Sequence, residues 1–259
     1  MNWLNKTSAF IFRNWIFSKR SFFSLAELLF WPVIGLLSIG LMADFFQFTK
    51  RELGFVLSGS IAMGVLQVTQ LDVSYSLLFD IWSKSIKHIF LSPIGVSESL
   101  LGSWIVGVVR GFIVFLILLI FSTWAFDFEI PSVIPVIIFL LGLFLSGLII
   151  GANVCILILC FGQRAEITAW SLATLLMLFC GIYYPVDQLP LFFNLFAKII
   201  PITYFLEYFR SFYDFEISSG YPLLKGFSLG ILYFIMSLIL MRKASHRAKK
   251  TGIILRLSE

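Results

Sequence analysis

From Ser132 to Phe161 the chain carries no charged side chain. Such a run is too apolar for a water-exposed helix, and about 20 apolar residues already match the hydrocarbon thickness of a bilayer. Five further runs share this character: 22–44, 54–79, 99–123, 166–184 and 222–241. Each reads as a membrane span. The expected fold class is therefore all-α and integral to the membrane, with six transmembrane helices. The run 132–161 is long enough to tilt or to extend past the bilayer. Composition agrees, with 59% hydrophobic residues, 13% charged residues and a mean hydropathy of +0.98. No soluble domain hides that much apolar surface. A chain of 259 residues suits a single membrane domain spanning 1–259.

The formal net charge of +5 does not indicate nucleic acid, because the basic residues flank apolar runs and act as topology signals. Thirteen of the nineteen Lys and Arg residues fall on one side: the N-terminal segment, the link around Lys84 and Lys87, Arg164, and the C-terminal segment from Arg242 to Arg256. The positive-inside rule makes that side cytoplasmic and places both termini there. Residues 2–20 repeat Trp3, Phe10 and Phe17 at a spacing of seven, interrupted by Lys6, Arg13, Asn14 and Lys19. This pattern predicts an amphipathic helix in the membrane interface, not a cleavable signal peptide. Cys155, Cys160 and Cys180 lie inside apolar runs at no zinc or redox spacing and are read as small buried residues. His88 and His246 belong to no metal-like cluster, so no metal, cofactor or catalytic residue is expected.

The segment Tyr183–Arg210 reads YYPVDQLPLFFNLFAKIIPITYFLEYFR. Pro185, Pro190 and Pro201 each remove a backbone donor and disfavour helix in the residue before them. The pieces between them are too short to span. Backbone at membrane depth must be helical or buried in protein, so 185–212 is expected as a re-entrant hairpin entering from the outer side. This segment, with FWP at Phe30–Pro32 and LSPIGVSESLLG at Leu91–Gly102, resembles the ABC-2 type permeases, the membrane subunits of type-2 ABC exporters. The resemblance covers nearly the whole chain, through the order and spacing of its motifs. It implies that the hairpin is an outer gate, carried here by Pro185, Asp187, Pro190, Pro201, Tyr204, Glu207, Tyr208 and Arg210. It also implies that the cytoplasmic link 80–98 is a coupling segment against an ATPase. No G-x-x-x-x-G-K-[ST] sequence occurs, so the chain has no P-loop for a nucleotide. ATP and Mg would then sit on a separate ATPase chain, two copies per complex, alongside a second permease copy in a bacterial inner membrane.

Several residues stand out within the spans. Gln67, Gln70 and Ser74 fall on one face of the second span, and Asp72, Ser76 and Asp80 on a neighbouring one. Polar groups in hydrocarbon point to protein or a wet cavity, which makes Gln67, Gln70, Asp72 and Ser74 candidates for a translocation path. Arg110 lies near the middle of the third span and joins them. An unpaired Arg there costs about 2.5–3.5 kcal/mol, so a partner is expected, either Asp72 or Glu27. Gly102, Ser103, Gly107, Gly111, Gly147 and Gly151 have the small-x-x-x-small spacing of closely packed helices. In the link, Asp80–Ser92 is expected as one helix, with Trp82 and Phe90 as aromatic anchors and Lys84, Lys87 and His88 facing a partner. Two other classes remain open: a secondary transporter, and an intramembrane enzyme acting on lipid. No internal repeat supports the first, and no His, Glu or Cys cluster supports the second. The substrate class is a lipid, glycan or hydrophobic drug.

Overall fold

A computed structural model describes residues 3–20, 22–92 and 95–251, and the side chains within them except those at 18, 20, 22–28, 163 and 177. The described residues contain ten α-helices and no strand. They are α1 (Trp3–Arg20), α2 (Phe22–Phe45), α3 (Lys50–Trp82), α4 (Ile86–Leu91), α5 (Val96–Phe126), α6 (Val133–Phe161), α7 (Thr168–Phe179), α8 (Leu191–Ala197), α9 (Pro201–Arg210) and α10 (Pro222–Lys250). Short 3₁₀ turns occupy Gln163–Ile167, Val186–Gln188 and Ser211–Tyr213.

Among the described residues, α3, α5, α6 and α10 are long and apolar enough to cross a bilayer. The pair Leu191–Ala197 and Pro201–Tyr213 is bent by 91° and adds a fifth crossing only if it counts as one broken span. The run 166–184 differs most from its expected form. Its helix α7 has only 12 residues, about 18 Å at 1.5 Å per residue, against about 30 Å of hydrocarbon. The chain leaves the helix at Cys180 and turns at Gly181, whose φ is +72°.

α3 is the axis of the bundle. Thr49 starts it with a capping box: the Thr49 hydroxyl accepts from the Glu52 backbone N–H at 3.3 Å, and the Glu52 carboxylate accepts from Thr49 N–H at 2.8 Å. Each end of the box satisfies a donor that the first helical turn would otherwise leave free. Most of the helix is buried. Its Leu57, Ile61, Val65 and Leu66 form one core with Val114 and Leu118 of α5, Phe139 and Leu143 of α6, and Phe205 and Phe209 of α9. Nearer its C-terminal end, Val73, Leu78 and Ile81 form a second core with Cys155 and Ile158 of α6, Ile86 of α4 and Ala244 of α10.

The glycines of α5 and α6 explain how the helices approach so closely. A Cβ on Gly107 would stand 3.0 Å from the Thr69 carbonyl oxygen, and one on Gly147 2.9 Å from Thr69 Cβ. At Gly151 it would meet Val73 Cβ at 2.6 Å and the Gln70 carbonyl oxygen at 2.9 Å. Gly102 faces Phe10 of α1. The small-residue spacing thus serves packing within the subunit, with α3 between α5 and α6. Pro32, inside α2, packs against Gly64 of α3. At the far end of α3, Lys50 meets Glu129 of the α5–α6 loop at 2.7 Å, and this hydrogen bond holds the Glu129 carboxyl below its usual range.

Gly151→Ala should therefore overpack the α3–α6 seam, at a cost of about 1–3 kcal/mol. Gly35→Ala, with nothing within 4 Å of the added carbon, should be neutral or stabilising. Thermal unfolding in detergent measures both, and the account expects a lower midpoint for Gly151→Ala alone.

Candidate functional site

The three prolines of the broken segment each begin a short helical piece. Pro185 precedes the Val186–Gln188 turn, Pro190 precedes α8, and Pro201 is the first residue of α9. This is where a missing N–H costs least, because first-turn donors have no intrahelical acceptor. Carbonyls at the breaks accept from side-chain donors. Asn194 Nδ2 donates to the Val186 carbonyl at 3.0 Å, Thr203 Oγ1 to Ala197 at 2.9 Å, and Tyr204 Oη to Lys198 at 2.7 Å. Tyr184 Oη donates to the Leu178 carbonyl at the end of α7.

Arg210 completes this set. Expected as a gate residue, it is only 5% exposed. Its guanidinium donates to the carbonyls of Gly181 and Ile182, to the Phe55 carbonyl at 3.1 Å and to Ser58 Oγ at 3.4 Å. It also lies 3.4 Å above the Phe55 ring. Gly59 leaves room for this approach, since a Cβ there would collide with the Ile182 carbonyl and stand 2.8 Å from Arg210 Nη2. Arg210 thus joins α9, the exit of α7 and the first turns of α3. Sequence reasoning missed this role. The available signal was an Arg placed after a glycine turn that has to break helix at membrane depth.

The two arms of the hairpin are held unequally. α9 buries Ile202, Phe205, Leu206 and Phe209; the Phe209 ring stacks on Phe139 of α6 at 4.2 Å, and Phe205 meets Phe227 of α10 at 4.9 Å. α8 leaves Leu191, Phe192 and Leu195 exposed and touches α7 through the Phe179–Phe193 stack. Two acids tie the hairpin to the loop before α10: Asp187 accepts from Ser218 Oγ at 2.7 Å, and Glu207 from the Ser219 N–H at 2.9 Å. Tyr208 packs against Phe212. Between them lies a cavity of about 390 Å³, lined in part by Asp187, Lys198, Glu207, Arg210, Glu216 and Lys225.

The polar residues of α3 divide differently from the expected faces. Gln70 and Ser74 are fully buried. Gln70 Nε2 donates to the Ala169 carbonyl of α7 at 2.8 Å, and Ser74 Oγ to the Gln70 carbonyl at 2.9 Å. Gln70 thus fastens α7 to α3, and Ser74 bonds back to Gln70 within α3. Gln67 is half-buried and belongs to a partly exposed i, i+4 row of Met63, Gln67, Leu71, Tyr75 and Phe79. Beside this row, Trp170, Thr174 and Leu178 of α7 are also exposed. Tyr75 meets Trp170 at 6.3 Å, and Tyr183 Oη donates to Met63 Sδ at 2.6 Å. Arg110 Nη1 pairs with Asp72 Oδ1 between α5 and α3, which makes Asp72 the partner. The side chain of Glu27 lies outside the described residues. Both members of the pair are mostly buried, and Asp72 Oδ2 and Arg110 Nε have no other hydrogen-bond partner.

At the other end of α3, α1 docks through polar groups that interrupt its apolar repeat. Arg13 Nη1 meets Asp80 Oδ1 at 2.9 Å. Asn14 Nδ2 donates to Ser76 Oγ at 3.2 Å and to Ser103 Oγ of α5 at 3.0 Å. Phe10 and Thr7, one and two turns earlier, are buried on the same side. The i, i+3, i+7 spacing of Thr7, Phe10 and Asn14 was the sequence signal for this inner face; Phe10 was read instead as part of the seven-residue repeat and Asn14 as an interruption of it.

The link 80–98 departs from one continuous helix. α3 runs to Trp82, Lys84 adopts a left-handed φ of 57°, and α4 is only six residues long. Pro93 and Ile94 lie outside the described residues. Trp82 therefore belongs to α3, where its Nε1 donates to Glu166 at 3.3 Å. Phe90 packs onto the bundle with Lys249 over its ring at 5.3 Å, and Ile86 is fully buried. Lys87, His88 and Leu91 are exposed, so α4 turns these outward and keeps its ring inside.

Removing either member of the Arg110–Asp72 pair strands a charge, typically at a cost of 3–5 kcal/mol, whereas replacing both with apolar residues is often close to neutral. Arg110→Leu alone should lower the yield of folded protein, and Arg110→Leu with Asp72→Leu should restore it. Size-exclusion yield from detergent extracts measures this.

Among curated proteins, the chain is 40% identical over 48 residues to an uncharacterised protein of Archaeoglobus fulgidus, an overlap covering 18% of this chain and 75% of that protein. The family model described as ABC-2 type transporter matches residues 6–213, from the docked α1 through the hairpin to the Ser211–Tyr213 turn. The chain is thus a multi-pass membrane protein, and it belongs to the ABC-2 type transporter family as a permease component of an ABC transporter.

Proposed function

We propose that the chain is the permease subunit of an ATP-driven exporter that moves a lipid, glycan or hydrophobic drug outward across a bacterial inner membrane. ATP and Mg are held by separate ATPase chains, two per complex, and a second copy of this chain completes the pathway. Both termini, α4 and the Arg13–Asp80 junction lie on the cytoplasmic side, and the hairpin lies on the outer side. The observation that carries the reading is the continuity of α3. It runs unbroken from Lys50 to Trp82, bonded to Arg210 at one end and to Arg13 at the other. A displacement of α4 by the ATPase reaches the hairpin through this helix, because a packed helix moves as a body.

In this mechanism the row from Met63 to Phe79, with the exposed face of α7, lines the pathway. Its rings and single amide suit an apolar or amphipathic cargo. α8, held chiefly by one aromatic stack, is the arm that moves, and α9 is the anchored arm. The pairing of Asp72 with Arg110 favours a structural role over an ion-coupling one, which weighs against a secondary transporter.

ATPase docking falls to Lys87, His88 and Leu91, the outward face of α4. Hot-spot anchors typically cost about 2 kcal/mol or more when truncated. Lys87→Glu with Leu91→Asp should leave the amount of permease in the membrane unchanged, release the ATPase during affinity purification and abolish transport-coupled ATP hydrolysis. An unchanged complex with full activity would contradict docking at α4.

A further inference from the structure

α10 continues past the end of its apolar run. Residues 222–241 supply about 30 Å of apolar helix, enough to cross the hydrocarbon, and the same helix goes on unbroken to Lys250. The added turns carry Arg242, Lys243, His246, Arg247, Lys249 and Lys250, all exposed. Met241, Ala244, Ser245 and Ala248 are buried on the opposite side. At 100° per residue, Arg242, Lys243, His246, Arg247 and Lys250 fall within one arc of roughly 140°.

The direction of this arc identifies its partner. Within the apolar run, Ile231, Leu232, Ile235, Met236, Ile239 and Leu240 are exposed. Projected along the same helix, they occupy the same arc as the basic residues. The side of α10 that faces acyl chains thus becomes, one turn later, the side that carries the cations. Among the described residues, the ion pairs are Arg13–Asp80, Lys50–Glu129 and Arg110–Asp72, and none of them neutralises this arc. Lys249, at the edge of the arc, turns toward α4 and covers Phe90.

We propose that Arg242, Lys243, Arg247 and Lys250 form a contact for anionic lipid, taking phosphodiester headgroups from the leaflet whose acyl chains lie against Ile235 and Ile239. The proposal needs α10 to cross the bilayer and is independent of transport direction and of the ATPase. A protein partner would have to sit under the lipid annulus to reach the same arc. Each Lys or Arg close to an anionic leaflet gains roughly fivefold in binding, and the gain is screened by salt.

Native mass spectrometry of the purified full chain in detergent, titrated with phosphatidylglycerol and phosphatidylcholine, tests this contact. The wild type should retain phosphatidylglycerol in preference, and the preference should fall as ammonium acetate is raised. R242Q/K243Q/R247Q/K250Q should lose it, on the order of fivefold per removed charge. R242K/R247K should keep it, as should K50Q/K198Q/K225Q, which alters charges distant in sequence from the arc. Equal retention of the two lipids by the wild type would overturn the proposal. So would a preference that survives the four substitutions. Loss of a co-purified ATPase with the lipid preference intact would assign the arc to a protein partner and overturn it equally.

Discussion

A chain can leave helical conformation inside a bilayer only where protein donors replace the lost backbone hydrogen bonds. The organisation of this permease around its hairpin follows from that constraint. α7 stops after 12 residues, and the chain turns through Gly181 and Ile182 before it meets the prolines. Arg210 gives those two carbonyls their donors, and Asn194, Thr203, Tyr204 and Tyr184 serve the carbonyls on either side. A guanidinium suits this task because its planar fork presents five N–H groups and keeps its charge. The Phe55 ring beneath it supplies a negative face and excludes water.

Arg210 also reaches the Phe55 carbonyl and Ser58, so satisfying the break couples the hairpin to α3. At the opposite end, Arg13 and Asn14 satisfy Asp80 and Ser76 and couple α1 to the same helix. Both links use buried or half-buried polar groups that would be costly to leave unpaired. Between them, the glycines of α5 and α6 let α3 sit close to both neighbours. Together these contacts leave α3 little freedom to bend, while α8 beyond one end of it keeps Leu191, Phe192 and Leu195 exposed.

Much of this was legible in the sequence. The long apolar runs located α2, α3, α5 and α6 to within a few residues and the start of α10, since hydrophobic length is a strong signal; the charged last turns of α10 carried no such signal. The prolines located the breaks of the hairpin, and the depth of Arg110 called for a carboxylate partner, leaving Asp72 and Glu27 as the two candidates. What was hidden depended on direction. Gln70 and Ser74 share a helical face with Gln67, yet a helix packed on several sides exposes a winding i, i+4 row, and the two buried residues lie off that row. Arg13 was read as a cytoplasmic charge and Arg210 only as a gate residue, because composition does not reveal which way a long side chain turns. The length of α4 depended on a left-handed residue at Lys84, and nothing in DIWSKSIKHIFLS requires one there.

Cys180 offers the most direct test of the account. It is buried, precedes Gly181 in the turn that Arg210 holds, and borders the cavity of the hairpin. Cys155 is equally buried but lies between α6 and α3, far along the chain from the clamp. With Cys160 replaced by alanine, the rate of alkylation of each thiol by N-ethylmaleimide can be followed by mass spectrometry in folded protein. Lysine at 210 supplies one ammonium where the turn needs a fork, so Arg210→Lys should open the turn. The account predicts that Cys180 then reacts at least tenfold faster while Cys155 stays protected. Equal protection of Cys180 in Arg210→Lys and in the unsubstituted protein would contradict the claim that this guanidinium holds the broken segment in place.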